Sequence, residues 1–580
     1  MNRFTELVSI LKDIVRHRIE SGHSDVKFIR SVLQLLYFRV TWTRHDLDYV
    51  PAMNPSGKFM SARQAVKLIP SNACVISTGI AGNGRCSIFY WAVRDRFERT
   101  GLPAGLTWIC VAATGGRGKA PGTIEELALP GLITSHIGGH LETHKALLKL
   151  ADEGKLELHT MCQGMLSRLI DVQTEHKYSL ESKVGIGTFL DPRVGNGSCV
   201  TPNTTVSLVK SKGNLLEYSL PPINTAILSA PYADAEGNIY FKNASTITEN
   251  SEAASAARAN GGIVLVTVCG ITEKNEEEIS IPSALVDAIV VNPRNEQTGG
   301  VMQQNYFPMF TEGSHTDIKS AYNLVKFANT FTGITPMRDD SDHAMARLAA
   351  SILLAETKPG SLINIGVGLP EEVSRYLFES GGYKHFNFST ESGAYGGLPV
   401  SGMYFGAAIN PVKLLSSAET FRIYEKNLDA TVLGLLQVDS FGNVNVSRRG
   451  PHAVDYVGPG GFTDIVTYAK TIIFIGKWMQ GAKYTLKQGR LSIIKTGKPK
   501  FVDRVDETTF NGQEALASGK NVYYVTNIGV FKLMREGLTL INIMPGIDVE
   551  KDILKNSTAK IVVPGSIAAN RTLRTACGVN

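Results

Sequence analysis

One glutamate stands where the chain could aim it at a ligand. In residues 385–402 (HFNFSTESGAYGGLPVSG) an alternating apolar run, Phe386 and Phe388, stops at Thr390 and delivers Glu391 into glycine-rich backbone. Such a run bounded by glycines is a strand signal, and in α/β sheets ligands bind outside the carboxyl ends of the strands. A carboxylate held there can act on that ligand as a nucleophile. Gly393, Gly396, Gly397 and Gly402 are expected to let backbone approach the ligand, because glycine has no Cβ and tolerates positive φ. A lone E-x-G tripeptide is equally an ordinary turn, so the weight falls on the elements around it.

Those elements repeat. Residues 74–78 read as a buried strand that empties into STGIAGNGR, where Gly79, Gly82 and Gly84 could wrap a phosphate or thioester at the start of a helix over 88–97. A second strand over 107–112 runs into Thr114-Gly115-Gly116. The order returns at 360–365, an apolar strand emptying into Gly366-Val367-Gly368, followed by a helix and the strand that ends at Glu391. AILSAPYADAEGNIY (226–240) matches ATVLGLLQVDSFGNVNV (430–446) in its paired strand, its Asp, its Gly-Asn turn and its closing strand. The spacing predicts two tandem, similar, open α/β domains with mostly parallel sheets, at 58–325 and 340–560, with a tail over 561–580. Only the second domain carries the carboxylate, so the site is expected where the halves meet. Ahead of them, Leu7, Ile10, Leu11 and Ile14, then Phe28, Ile29, Val32, Leu35 and Leu36, predict a small helical extension over 1–57 with no assignable chemistry.

Composition bounds the function. A chain of 580 residues, 43% apolar, can bury several cores. Its 59 basic and 53 acidic side chains, net +6, give no case for nucleic acid as the main ligand but suit a polyanionic small molecule. Seven cysteines without a C-x-x-C pair imply a reduced intracellular protein lacking a zinc site. No apolar run approaches the length of a membrane span. Glu6, Asp13, Glu20 and Asp25 argue against a mitochondrial presequence, so a cytoplasmic protein is expected, with the mitochondrial matrix as the alternative.

Longer motifs run in one order. The second half contains NIGVGLPEEV (364–373), STESGAYGGLP (389–399), DSFGNVNVS (439–447), GPGGFTDI (458–465), ETTFNG (507–512) and MPGIDVEKDIL (544–554). The first contains SHIGGH (135–140), CQGMLSRLI (162–170), VGIGTFLDPR (184–193), ADAEGNI (233–239) and IPSALVDAIVV (281–291). Over 58–555 the chain resembles the family I CoA-transferases, especially the long fused-chain acetate/propionate type related to the 3-oxoacid CoA-transferases.

The resemblance implies an enzyme that transfers CoA between a short-chain acyl-CoA and a carboxylic acid by a ping-pong route through a glutamyl-CoA thioester on Glu391. It implies an oxyanion site from Asn364 and the backbone N–H of Gly460 or Gly461, with Gln163 near the transferred carboxylate. The glycine loops at Gly366 and Gly368 and at Gly79, Gly82 and Gly84 would then border CoA or the acyl group. CoA would be a substrate with no permanently bound cofactor and no metal, and a homo-oligomer is expected. Arg448, Arg449 and Lys470 are candidates for the CoA phosphates by position alone. The chain departs from the family in Gly84-Arg85-Cys86-Ser87, where many relatives have Pro and an acid, in VGNGSCVTPNT after DPR, and in the extension, which lies outside the resemblance. These departures put the acyl substrate in doubt rather than the chemistry. Two other readings stay open: an acyl-CoA hydrolase, if water reaches the glutamyl intermediate, and a metabolite-sensing module on the same fold.

Overall fold

Two helices lead the chain, α1 (Arg3–Ser21) and α2 (Asp25–Thr41). The computed structural model describes residues 3–21, 25–52, 56–116 and 120–565. The first large sheet follows from β1 (Cys74–Ser77), α3 (Ser87–Thr100), β2 (Leu106–Cys110), β3 (Ile133–Gly138), β4 (Glu157–Thr160), α4 (Gln163–Val172), β5 (Thr225–Asp234), β6 (Ile263–Thr272) and β7 (Ala288–Val291). Its order is β7-β6-β5-β1-β2-β3-β4, and each of these neighbours is parallel. Strand side chains alternate between faces, so Val75 and Trp108 enter one core while Ile76 and Ile109 enter the other. Burial on both faces is why these strands read as unbroken apolar runs.

The second sheet is built from α5 (Ile318–Thr332), α6 (Asp340–Glu356), β8 (Ser361–Ile365), α7 (Glu371–Glu379), β9 (Phe386–Ser389), β10 (Ala394–Tyr395), β11 (Lys413–Leu414), β12 (Leu428–Gly434), α8 (Phe462–Tyr468), β13 (Thr471–Ile475), β14 (Asn521–Val525), β15 (Gly529–Met534) and β16 (Gly537–Ile543). Its order is β11-β10-β9-β8-β12-β13-β14-β15-β16, parallel from β9 to β14 and antiparallel beyond. The path β14-β13-β12-β8-β9 repeats β7-β6-β5-β1-β2 strand for strand.

The repeat extends to a turn. Asp234 Oδ1 accepts from the N–H groups of Glu236 and Asn238, and Asn238 Nδ2 donates to Asp234 Oδ2. Asp439 does the same with Phe441 and Asn443. Gly237 and Gly442 take φ of 92° and 76° at equivalent places, where a side chain would be strained.

The extension is not a free arm. α1 packs along α5, and His17 Nε2 lies 2.8 Å from Asp317 Oδ1 at the cap of that helix. Phe28 of α2 meets Phe327 of α5 edge to face, with centroids 5.4 Å apart. α5, which straddles the sequence boundary drawn between 325 and 340, shares a core with Leu398, Val400 and Ile409 of the second half. At the other end, Val562 pairs with Thr539 and its carbonyl accepts from Leu540 N–H, so the start of the expected tail lies along β16. The rest of that tail, 566–580, falls outside the described residues. Among the described residues, no helix is long and apolar enough to cross a membrane.

Candidate active site

Both sheets point their carboxyl ends at one cavity of about 1100 Å³. Ile80 and Gly82 reach it from the loop after β1, Gly115 and Gly116 from the loop after β2, and Gln163 from the start of α4. From the second half come Gly366 after β8, Leu435 after β12, Lys477 after β13, and Glu391, two residues beyond β9. Loops at the carboxyl edges of parallel strands are the usual place for a ligand, and here two such edges face each other.

Glu391 is fixed by the turn that carries it. Thr390 N–H donates to Ala394 O at 2.9 Å and Gly393 N–H to Thr390 O at 3.0 Å, folding β10 back onto β9. Thr390 and Ser392 hydroxyls both donate to Gly406 O. This leaves the side chain between them at the tip, facing the cavity. The surrounding glycines differ from expectation. A Cβ on Gly393 would lie 1.8 Å from Leu415 O, and one on Gly397 would lie 2.4 Å from Ile409 O. A Cβ on Gly396 would meet Val412, and one on Gly402 would meet Asn329. Their missing side chains let the turn pack against protein rather than against a ligand, and only Gly402 of the four lines the cavity.

The Glu391 carboxylate makes no hydrogen bond or ion pair with any described residue. Burial alone pushes its pKa up, to about 7. Gly461, which caps α8, is pressed against it, and a Cβ there would come within 2.8 Å of Glu391 Oε2. Asp464 on the same helix is also raised, to about 8, chiefly by burial, although Gly164 N–H donates to it.

The expected site residues are placed as follows. Gln163 is buried, and its backbone N–H donates to Gly460 O at 2.8 Å. Its side-chain amide lines the cavity with no hydrogen bond to a described residue. Gly460 gives its own N–H to Gly139 O at 2.8 Å, which leaves Gly461 as the glycine with backbone beside the carboxylate. Asn364 is buried, with Nδ2 at 3.3 Å from the Tyr424 hydroxyl and 3.4 Å from Ser389 O. It lines a smaller cavity of about 200 Å³ that also contains Glu391, Thr390 and Ser392. Gly82 and Gly366 line the large cavity, whereas Gly79, Gly84 and Gly368 line neither. Gly79 instead closes its own loop, for a Cβ there would lie 2.7 Å from Gly84 O.

Among the proposed phosphate cations, Arg449 lines the cavity but is paired with Glu142 at 2.6 Å. Arg448 donates to Gly450 and Pro451 carbonyls, and Lys470 pairs with Asp429 away from both cavities. The other cations that line the cavity, Arg39, Arg85, Arg338, Lys477 and Lys500, had no motif to mark them. Burial, with Arg449 and Lys477 nearby, lowers Lys500 to about 8. The greater omission is α2. Leu35, Leu36, Phe38 and Arg39 of that helix, and Trp42 just after it, form part of the cavity wall.

No family model matches the chain. It is 35% identical over 516 residues to a caffeate CoA-transferase of Acetobacterium woodii, covering 86% of this chain and 93% of that one. It is 31% identical over 517 residues to the acetate CoA-transferase YdiF of Escherichia coli strain K12, covering 87% and 92%. The crystal structure of YdiF from Escherichia coli O157:H7 in a thioester complex with CoA superimposes with a TM-score of 0.76 at 28% identity, covering 89% of this chain and 96% of that one.

Proposed function

Because the chain belongs to the CoA-transferase family, we propose that Glu391 is its nucleophile and that CoA is carried between a short-chain acyl-CoA and a carboxylic acid through a thioester on that side chain. The observation that carries this reading is a carboxylate facing the shared cavity with no partner among the described residues, pressed against Gly461. A glutamate held by an arginine would be a weaker nucleophile, and one exposed to bulk water would have a solvation shell to shed.

A Glu391 oxygen attacks the thioester carbon, and the tetrahedral intermediate expels CoA thiolate to leave an acyl-glutamyl anhydride. The thiolate attacks the Glu391 carbonyl, releases the first carboxylate and leaves the glutamyl-CoA thioester. An incoming carboxylate attacks that thioester, again through an anhydride, and the thiolate finally takes the new acyl group and frees Glu391. Each intermediate puts charge on a former carbonyl oxygen. Gly461 N–H and the Gln163 amide, neither bonded to a described residue, are donors on the large cavity, while Asn364 on the small one would have to give up a long bond to Tyr424 or Ser389. CoA phosphates would find Lys500 and Arg338 along the same walls, while Lys477 is paired with Asp339 at 2.6 Å as Arg449 is with Glu142. The reading also keeps the expectation of a homo-oligomer.

Initial rates with donor and acceptor varied together test this. Parallel double-reciprocal lines that vanish in Glu391→Ala are expected. Converging lines, or transfer retained in that variant, would overturn it.

A further inference from the structure

The chain's surplus of positive charge is gathered in one segment. Residues 480–502 hold six cations and no Asp or Glu, which leaves 53 of each sign over the rest of the chain. The fold makes of this segment a hairpin, Lys483–Lys487 and Arg490–Lys495, closed by Gln488 and Gly489, both at positive φ. One face, Tyr484, Leu486, Leu491 and Ile493, packs on the core of the second half. The cations are exposed, and Lys483 stands across from Lys495 as Lys487 does from Arg490. Like charges directly opposite each other destabilise a strand pair. Among the described residues no carboxylate pairs with any of these four or with Lys498. The hairpin thus keeps a repulsion that a single acid on either strand would relieve.

The hairpin grows from the rim of the large cavity. Gln480 and Gly481 line that cavity and are exposed, so they lie where it opens to solvent. Gln480 pairs with Lys498, and a Cβ on Gly497 would come within 2.1 Å of Gln480 O and 2.6 Å of Ala482 N, so both legs are clasped at the rim. Lys500, two residues further on, lines the wall itself. At the far tip Gly546 packs on Arg490 and leads into a turn carrying Asp548, Glu550 and Asp552, which offsets the charge there. The uncompensated end is the one at the rim, where Lys483, Lys495 and Lys498 meet.

We propose that the base of this hairpin is a capture surface for the phosphate groups of CoA thioesters, steering them into the cavity before they reach Glu391. This rests on Glu391 exchanging CoA in that cavity. Charge of one sign beside a cleft raises the local concentration of an oppositely charged substrate and its rate of entry by about tenfold to a thousandfold. The 3′-phosphate and diphosphate are the groups such a surface acts on, since the pantetheine arm carries no charge. Exposed cations are screened beyond about 10 Å at 0.1 M salt, so the advantage must fade as salt rises. It belongs to entry and not to the bond-making steps, which take place inside the cavity.

The test measures kcat/KM for acetyl-CoA and for acetyl-pantetheine, which has no phosphate, at low and at high salt. It compares the full-length protein with a variant combining Lys483→Gln, Lys495→Gln and Lys498→Gln, and with Lys495→Glu alone. The triple variant should lose about tenfold in kcat/KM for acetyl-CoA at low salt and little at high salt, with kcat held and acetyl-pantetheine unaffected. Lys495→Glu places an opposite charge across from Lys483, so it should melt higher than the wild type and still take up acetyl-CoA more slowly. Equal losses for both thioesters, a loss that salt does not reduce, or an undiminished kcat/KM for acetyl-CoA would each overturn the inference while leaving the transferase reading intact. A wild type that forms no Glu391 adduct from either thioester would instead bring down the reading beneath it.

Discussion

At the scale of single residues, the proposed chemistry depends on Glu391 being partly dehydrated and without a partner among the described residues. With its pKa near 7, the ionised fraction falls as pH falls, so the rate of thioester formation should drop about tenfold per pH unit below 7 and level off above it. A flat profile down to pH 5.5 would contradict that environment. The same burial has a cost to folding. The folded state holds a proton that the unfolded chain, with its pKa at 4.5, has released, so stability falls between these values and the loss is complete above 7. Glu391→Gln should therefore raise stability at pH 8, by roughly 1–3 kcal/mol, and not at pH 4. Thermal unfolding at the two pH values reads this directly. Gly461→Ala separates position from folding. Its φ of −82° suits alanine, but the added methyl must move the carboxylate, so transfer should fall about tenfold to a hundredfold with the melting temperature held. Unchanged transfer would mean that Gly461 does not define the site. Glu391 was legible in the sequence because an apolar strand ran into it. The roles of Gly393 and Gly397 were not, because a glycine that admits a neighbouring carbonyl and one that admits a ligand look the same in one dimension.

At the scale of elements, the two turns around Asp234 and Asp439 are the clearest link from sequence to structure. Each Asp accepts two backbone N–H groups and one Asn amide, Asp234 accepting the Tyr240 hydroxyl as well, and the Gly before that Asn takes the positive φ. Asp234→Ala and Asp439→Ala should each destabilise the fold by about 1–3 kcal/mol, since each removes a buried carboxylate and leaves partly buried donors without their acceptor. Denaturant unfolding that shows a loss at only one of the two would break the equivalence. The repeated parallel strands were legible for the same reason, as apolar runs that empty into glycine turns end parallel strands, but their order across each sheet was not. The role of α2 was hidden. Helical spacing identifies an apolar stripe but not what the stripe covers, and the contacts of Leu35 and Phe38 with Gly300 span most of the first half of the chain.

At the scale of the whole molecule, a duplicated sheet becomes a catalyst because the copies are unequal. The loop after β2 carries Thr114 and Gly115, while the equivalent loop after β9 carries Glu391. The copies meet through Gln163 N–H on Gly460 O, Gly460 N–H on Gly139 O and Asn83 Nδ2 on Phe405 O. One half thus presents Glu391 to walls built by the other and by the second N-terminal helix. The central claim is that CoA becomes covalently attached to Glu391. Peptide mass spectrometry after mixing with acetyl-CoA, with and without hydroxylamine, tests it most directly. The account predicts a CoA adduct on the peptide containing Glu391 that hydroxylamine removes and that Glu391→Gln lacks. Acetyl-CoA bound intact with no adduct, or an adduct on another residue, would contradict it.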